Sequence, residues 1–316
     1  MSTDDALDRA EVPNGPHRSA GRVVVGYDGS GAPDPAIDWA ARAARTRGEP
    51  LLLVTAAHPL VISHEGAALF DTGLIETSSA FLRDELARAA RTVRQRFPGL
   101  LVETRFEVAS PAHTLIEASS AADVVVLGRR TQGRFGGVAG LIGMLGGVAE
   151  AVASHARGPV AVVPDGASDE RPGPVVVGLE SQAMSYRVLE VAGRWARDTG
   201  RELLLLHAWD VRGPWRPDHL ADVDRIREVN TAWEAVMADE VDRLRGQFPG
   251  VPIRTEVTTG SAVDALVERS AGASVVVVGT RGHGGFAGLL LGSTSRRVLQ
   301  TAACPVIVVP TPPPAD

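Results

Sequence analysis

Four segments of the chain occur twice, in the same order, roughly 140–150 residues apart. GRVVVGYDGS at Gly21–Ser30 returns as GPVVVGLESQ at Gly173–Gln182, and PLLLVTAAH at Pro50–His58 returns as ELLLLHAWD at Glu202–Asp210. RFPG…ADVVVLG at Arg96–Gly128 answers to QFPG…ASVVVVG at Gln247–Gly279, and GPVAVVP at Gly158–Pro164 answers to CPVIVVP at Cys304–Pro310. A period this long exceeds a solenoid unit and matches a whole domain. The 316 residues therefore read as an N-terminal tail (1–20), a first domain (21–164), a linker (165–173), a second domain (174–310) and a short C-terminal tail (311–316). The linker, DGASDERPG, has the polar and Pro/Gly composition of a connector.

Within each copy, short β-branched runs alternate with longer amphipathic segments. The runs in the first copy are Val23–Gly26, Leu51–Thr55, Leu101–Val108, Val124–Gly128 and Val160–Val163. Strands apolar on both faces suit a parallel sheet covered by helices. Asp34-Pro35 reads as an N-cap followed by a first-turn proline. In the second copy Val223, Ile226, Val229, Trp233, Val236, Met237, Val241 and Leu244 recur at three- and four-residue steps, predicting one helical stripe. The order βαβαβαβαβ with right-handed crossovers gives an α/β, Rossmann-like, doubly wound open sheet in each copy. Its closing strands, Val160–Val163 and Val306–Val309, are apolar edges that need a cover, and each copy can cover the other. A pseudo-dimer within the chain is expected, and a homodimer of the whole chain remains open.

Composition removes several functions. All 32 basic residues are arginine, which excludes a P-loop lysine, a kinase strand lysine and a Schiff base. A net charge of −6 and a pI near 5.8 argue against a nucleic-acid partner. One cysteine, Cys304, excludes an internal disulfide and a CxxC or cysteine-rich zinc site. Apolar runs are far below the ~18 residues of a membrane span, and no signal-like apolar segment opens the chain. A cytoplasmic protein without a membrane partner is expected. His58, His64, His113, His155 and His219 show no metal-ligand spacing, and no GxSxG elbow occurs.

In doubly wound sheets, ligands bind outside the carboxyl ends of the strands, at the switch point. After the fourth strand of the second copy comes Gly279-x2-Gly282-x9-Gly292-Ser293, then Thr294, Ser295 and a helix. The glycines let backbone approach a ligand closely, and the helix start favours an anion. Such loops also serve as plain surface turns. At the end of the first strand, Asp28 in Tyr27-Asp28-Gly29-Ser30 can accept from ribose hydroxyls.

Together, VGYDGS, the Gly279–Ser293 loop and the closing CPVIVVP resemble the universal stress proteins in tandem form. The resemblance implies a five-stranded parallel sheet of order 3-2-1-4-5 in each domain and, in one subfamily, ATP binding with a divalent ion such as Mg²⁺. It places the ribose at the acidic residue after strand one, adenine at the backbone closing strand two, and the phosphates in the glycine loop. Carried over, it marks Glu180, Ala208, Val278, Gly279, Gly282, Gly292, Ser293, Thr294 and Ser295 in the second copy. In the first it marks Asp28, Ala56, Gly128, Gly133, Gly136, Gly146 and Gly147 as a weaker site. There the loop carries about five extra residues beside the second copy's, with Gly147 in place of Ser293 and Ala149 in place of Ser295. The second copy has Glu180-Ser181 where the first has Asp28-Gly29.

The expected function is an ATP-responsive regulator in a stress response with a protein partner of unknown identity. No catalytic residue is assigned. Two alternatives are an interaction module of the same fold that binds no nucleotide and a slow ATP-hydrolysing enzyme. Arg129, Arg130 and Arg134 form a local basic patch in the first loop, while Arg281 and His283 lie in the second. His207 and Trp209 read as core residues, and Cys304 as a buried small hydrophobe.

Overall fold

The computed structural model describes residues 21–30, 34–57, 61–64, 67–70, 72–129, 147–167, 172–179, 186–209, 223–280 and 291–311, with backbone alone at 61–78 and 223–225. The first half runs β1 (Val23–Gly26), α1 (Pro35–Arg47), β2 (Leu51–Ala57), β3 (Val61–His64), β4 (Ala67–Phe70), α2 (Thr72–Arg96), β5 (Val102–Val108), α3 (Pro111–Ala118), β6 (Val124–Gly128), α4 (Gly147–His155) and β7 (Val160–Val163). The second runs β8 (Val175–Leu179), α5 (Tyr186–Thr199), β9 (Leu203–Trp209), α6 (Val223–Gln247), β10 (Ile253–Thr259), α7 (Ala262–Ser270), β11 (Val275–Gly279), α8 (Ser293–Thr301) and β12 (Val306–Val309).

Local chemistry sets the helix ends. Asp34 caps α1 by accepting from the Ala36 N–H at 2.9 Å, and Pro35 opens the helix. Gly48 at φ 67 and Gly200 at φ 64 close α1 and α5 in the left-handed region that favours glycine. The central strands are buried on both faces. Val23 and Val25 pack under α1, whereas Val24 joins the cluster beneath α3 and α4.

The strands form one ten-stranded sheet of order β5-β2-β1-β6-β7-β12-β11-β8-β9-β10. Each half has the order 3-2-1-4-5 and is parallel throughout. The two five-stranded sheets that the sequence suggested are joined edge to edge. β7 and β12 join antiparallel, with Val160 opposite Val308, Ala161 opposite Ile307 and Val162 opposite Val306. The expected pairing of the closing strands thus turns two sheets into one. The outer edges are different: β5 (VETRFEV) and β10 (IRTEVTT) carry charges that discourage further pairing.

Two details depart from the sequence reading. A small antiparallel pair, β3–β4, lies outside the main sheet and was not anticipated. On α6, Met237, Val241 and Leu244 are buried as predicted, but Val236 is 56% exposed. It sits about 100° around the helix from Met237, beyond the narrow stripe that meets β9 and β10.

The seam between halves is also closed by helices. Trp39 of α1 stacks on Trp195 of α5 with centroids 4.9 Å apart and planes at 7°. Arg47 lies over Trp195 and approaches Glu49 at 3.2 Å, Asp198 at 3.5 Å and Asp123 at 4.0 Å. Arg197 also pairs with Asp198 at 2.7 Å. Two guanidiniums thus face three carboxyls, which is one negative charge too many. Burial first, then a hydrogen bond with the Asp123 carboxyl, pushes Glu49 up from 4.5 to about 8. Glu49 Oε2 is buried with no hydrogen-bond partner among the described residues.

Because the folded state holds the Glu49 proton more tightly than the unfolded chain, its stabilisation is complete below pH 4.5 and is lost as pH rises to about 8. Within that window the slope reaches about 1.4 kcal/mol per pH unit. Glu49→Gln cannot ionise and should remove this slope. Denaturant unfolding of both proteins from pH 5 to pH 9 checks it, and parallel stability curves would refute the raised pKa.

Candidate functional site

The switch point of the second half lies where β8 and β11 run side by side, Val175 to Val177 against Val275 to Val277. Beyond β11 the chain leaves at Thr280 and returns at Gly292, whose N–H donates to the Thr280 carbonyl at 2.6 Å. This bond draws the start of α8 back to the end of β11. Gly292 is the N-cap of α8 and offers no side-chain cap. Its φ of −65° and ψ of 156° are extended backbone open to any residue. The glycine is therefore not needed for its dihedral angles. Its use is the absence of a side chain at the helix start, where uncapped N–H groups and the dipole attract an anion.

Ser293 is exposed and Thr294 half-buried at this start. Ser295 is placed otherwise than expected: it is buried, and its hydroxyl donates to the Gly279 carbonyl at 2.6 Å. Its proton is committed to tying helix to strand and is not offered to a ligand. Val278 is buried, Gly279 is half-buried at the strand end, and Ala208 is half-buried where β9 pairs with Thr258 of β10. Glu180, Gly282, Arg281 and His283 lie outside the described residues.

The first half repeats the frame and changes its contents. Asp28 is exposed after β1 and accepts from the Ser30 N–H at 3.0 Å, around Gly29 at φ 75. Ala56 is half-buried in β2, opposite Glu107 of β5. Gly128 closes β6, but Ala149 stands in place of Ser295, so that tie is missing. The N–H of Arg129 bonds the Val163 carbonyl as that of Thr280 bonds Val309. The Arg129 side chain, however, crosses the seam and donates to the Ala302 carbonyl. Burial lowers its pKa. Arg129 therefore holds the halves together and is not a free member of a basic patch. Gly147 begins α4 exposed, while Gly133, Gly136, Gly146, Arg130 and Arg134 lie outside the described residues.

One feature of the helix starts escaped sequence reasoning. Glu150 in α4 and Arg296 in α8 occupy equivalent positions, three residues after Gly147 and Ser293. They meet across the seam at 3.2 Å as an ion pair, though the angle is poor for a hydrogen bond at Arg296 Nε. The pair ties the first turns of α4 and α8 together across the seam. Aligning the two closing blocks places Glu150 opposite Arg296, but only the antiparallel seam brings them into contact.

His207 is 4% exposed, as its core reading requires. Its Nδ1 bonds the Leu179 carbonyl at 3.1 Å, and its ring meets Trp233 at 4.1 Å. A carbonyl only accepts, so Nδ1 carries the proton, and burial lowers the pKa and keeps the ring neutral. Thr55 does the same work in the first half, donating to the Tyr27 carbonyl at 2.9 Å. Trp209 is half-exposed, with its indole N–H on Asn230 at 2.8 Å, and Cys304 is buried as expected. Among the described residues no cluster of His, Cys, Asp and Glu is arranged to hold a metal, and no helix is long and apolar enough to cross a membrane.

The model of the universal stress protein family matches residues 20–164 and again 173–310. A universal stress protein of Mycolicibacterium smegmatis is 32% identical over 299 residues, covering 91% of this chain and 96% of its own. One of Mycobacterium tuberculosis is 32% identical over 312 residues, covering 92% and 95%. The crystal structure of a universal stress protein from Archaeoglobus fulgidus shares the fold, with a TM-score of 0.64, 19% identity, and coverage of 92% of this chain and 99% of that one.

Proposed function

The chain belongs to the universal stress protein family in tandem form, and on that premise we propose that it binds ATP with Mg²⁺ in its second half and acts as a nucleotide-responsive regulator. The observation that carries the reading is the uncapped start of α8, drawn to the end of β11 by the Gly292–Thr280 bond and free of a side chain at Gly292. The geometry fits phosphate groups: backbone N–H donors and the Ser293 hydroxyl at the helix start favour negative charge. Backbone at Ala208 would meet the base, and Glu180 would accept from the ribose. Val278, Gly279 and Gly282 would line the approach, with Ser295 holding the loop in place. Mg²⁺ would be held chiefly by the phosphates and water, since this ion keeps several of its waters.

In this reading the first half is the weaker site. Asp28, Ala56, Gly128 and Gly147 stand at the corresponding places, with Gly133, Gly136 and Gly146 assigned by sequence alone, but Arg129 and Glu150 there serve the seam. The chain's role is to report nucleotide to a protein partner, in the cytoplasm, and not to turn it over. Thermal unfolding with and without MgATP tests binding: at 100 times Kd the ligand should add about 2.7 kcal/mol of stability. An unchanged transition at millimolar MgATP would leave the non-nucleotide interaction module as the better reading.

Ser293→Ala should remove one hydroxyl and leave the backbone donors. A hydrogen bond to a charged group contributes roughly 1.5–3 kcal/mol. ATP affinity should fall about tenfold or somewhat more, as read by titration calorimetry, and unchanged affinity would take Ser293 out of the site.

A further inference from the structure

A second concave site lies on the seam, outside the candidate nucleotide site. It is a cavity of about 220 Å³ between α5 and the turns that precede β6 and β7. In a chain of net charge −6, it gathers Arg47, Arg157, Arg187 and Arg194 against only Asp123 and Glu190. Arg194 is paired with Glu190, and Arg47 with the carboxyls of the seam. Arg157 and Arg187 form no ion pair among the described residues.

Arg157 donates to the Ser120 hydroxyl at 3.3 Å, and Arg187 to the Arg157 carbonyl at 3.1 Å. Each guanidinium has five N–H donors, so these single bonds orient the side chains and leave most donors for a ligand. The floor is rigid: the Arg157 N–H bonds the Ser119 hydroxyl at 2.9 Å, and Ile307 and Trp195 form apolar wall.

The pseudo-symmetry gives an internal control. The other seam carries the same floor bond, from the Ala303 N–H to Ser270 at 2.9 Å. There Arg157 is replaced by Ala303, Arg187 by Pro35 and Ser120 by Ala271. The arginines are thus not demanded by the way the halves join. They occur at one seam only, a choice that a tandem chain permits and a dimer of identical halves does not.

We propose that this seam cavity is a second binding site, for a small phosphate-bearing anion of the size of pyrophosphate or a three-carbon phosphate ester, held by Arg157 and Arg187. The volume of about 220 Å³ has room for such an anion. Guanidinium forks match phosphate oxygens in geometry and charge.

The test is titration calorimetry of the full chain with inorganic pyrophosphate and, separately, glycerol 3-phosphate. The Arg157→Gln/Arg187→Gln double variant should weaken the tighter of the two at least tenfold, while its MgATP titration should match that of wild type. Tighter pyrophosphate would identify a diphosphate site, and tighter glycerol 3-phosphate a monoester site. The proposal is overturned if neither anion binds the wild-type chain at millimolar concentration. It is equally overturned if the double variant binds both anions like wild type. The anions are read against the Arg157 and Arg187 changes alone and MgATP is titrated separately, so failure of either reading leaves the other standing.

Discussion

Gly292→Val is expected to weaken ATP binding a hundredfold or more while leaving the fold intact. The valine side chain would stand at the uncapped start of α8, in the space assigned to a phosphate. Losing two charge-assisted hydrogen bonds there costs about 3–6 kcal/mol, and 1.4 kcal/mol is a factor of ten. The backbone at this position is extended, with φ −65° and ψ 156°, so a β-branched residue fits without strain. Thermal unfolding should therefore be close to wild type, which separates lost binding from lost structure. The matched change in the first half, Gly146→Val, should alter ATP affinity little. If Gly146→Val abolished binding and Gly292→Val did not, the working site would lie in the first half.

The second large effect is structural. Ile307 is fully buried in β12, faces Ala161 across the seam and contributes to the wall beside Trp195. Ile307→Asp would put a carboxylate at a fully buried position of the sheet, and even beside the cavity arginines its desolvation costs several kcal/mol beyond the lost apolar contacts. Against a typical stability of about 5–15 kcal/mol, the chain should fail to fold or lose most of its stability. Ile307→Ala provides a graded comparison, expected to cost about 2–5 kcal/mol in denaturant unfolding. A wild-type midpoint for Ile307→Asp would show that the seam is not part of the cooperative structure.

Much of the fold was legible because strand runs such as Val23–Gly26 and Val124–Gly128 are apolar on both faces, and that pattern has few solutions. The repeat then identified Val160–Val163 and Val306–Val309 as edges needing the same cover. What the pattern could not supply was anything set by contact across the seam. Glu150 and Arg296 are ordinary helix charges until the antiparallel join brings them together. Arg129 looked like part of an anion patch because its partner, the Ala302 carbonyl, is 173 residues away. Ser295 looked like a ligand donor, since composition does not reveal that its hydroxyl turns inward to Gly279. Val236 fitted the helical spacing, but spacing does not say where a stripe ends.

The site was legible to a lesser degree. Glycine spacing located the start of α8, while the reason Gly292 matters, an empty position and not a left-handed one, required the dihedral angles. The first-half site looked weaker from Gly147 and Ala149 alone, and the tie from Ser295 to the Gly279 carbonyl, which Ala149 cannot make, adds a structural difference.

Titration calorimetry of MgATP into the full chain tests the central claim most directly. One binding event per chain, lost in Gly292→Val and retained in Gly146→Val, is the predicted result. No binding heat at millimolar MgATP, or two sites of equal affinity, would contradict it.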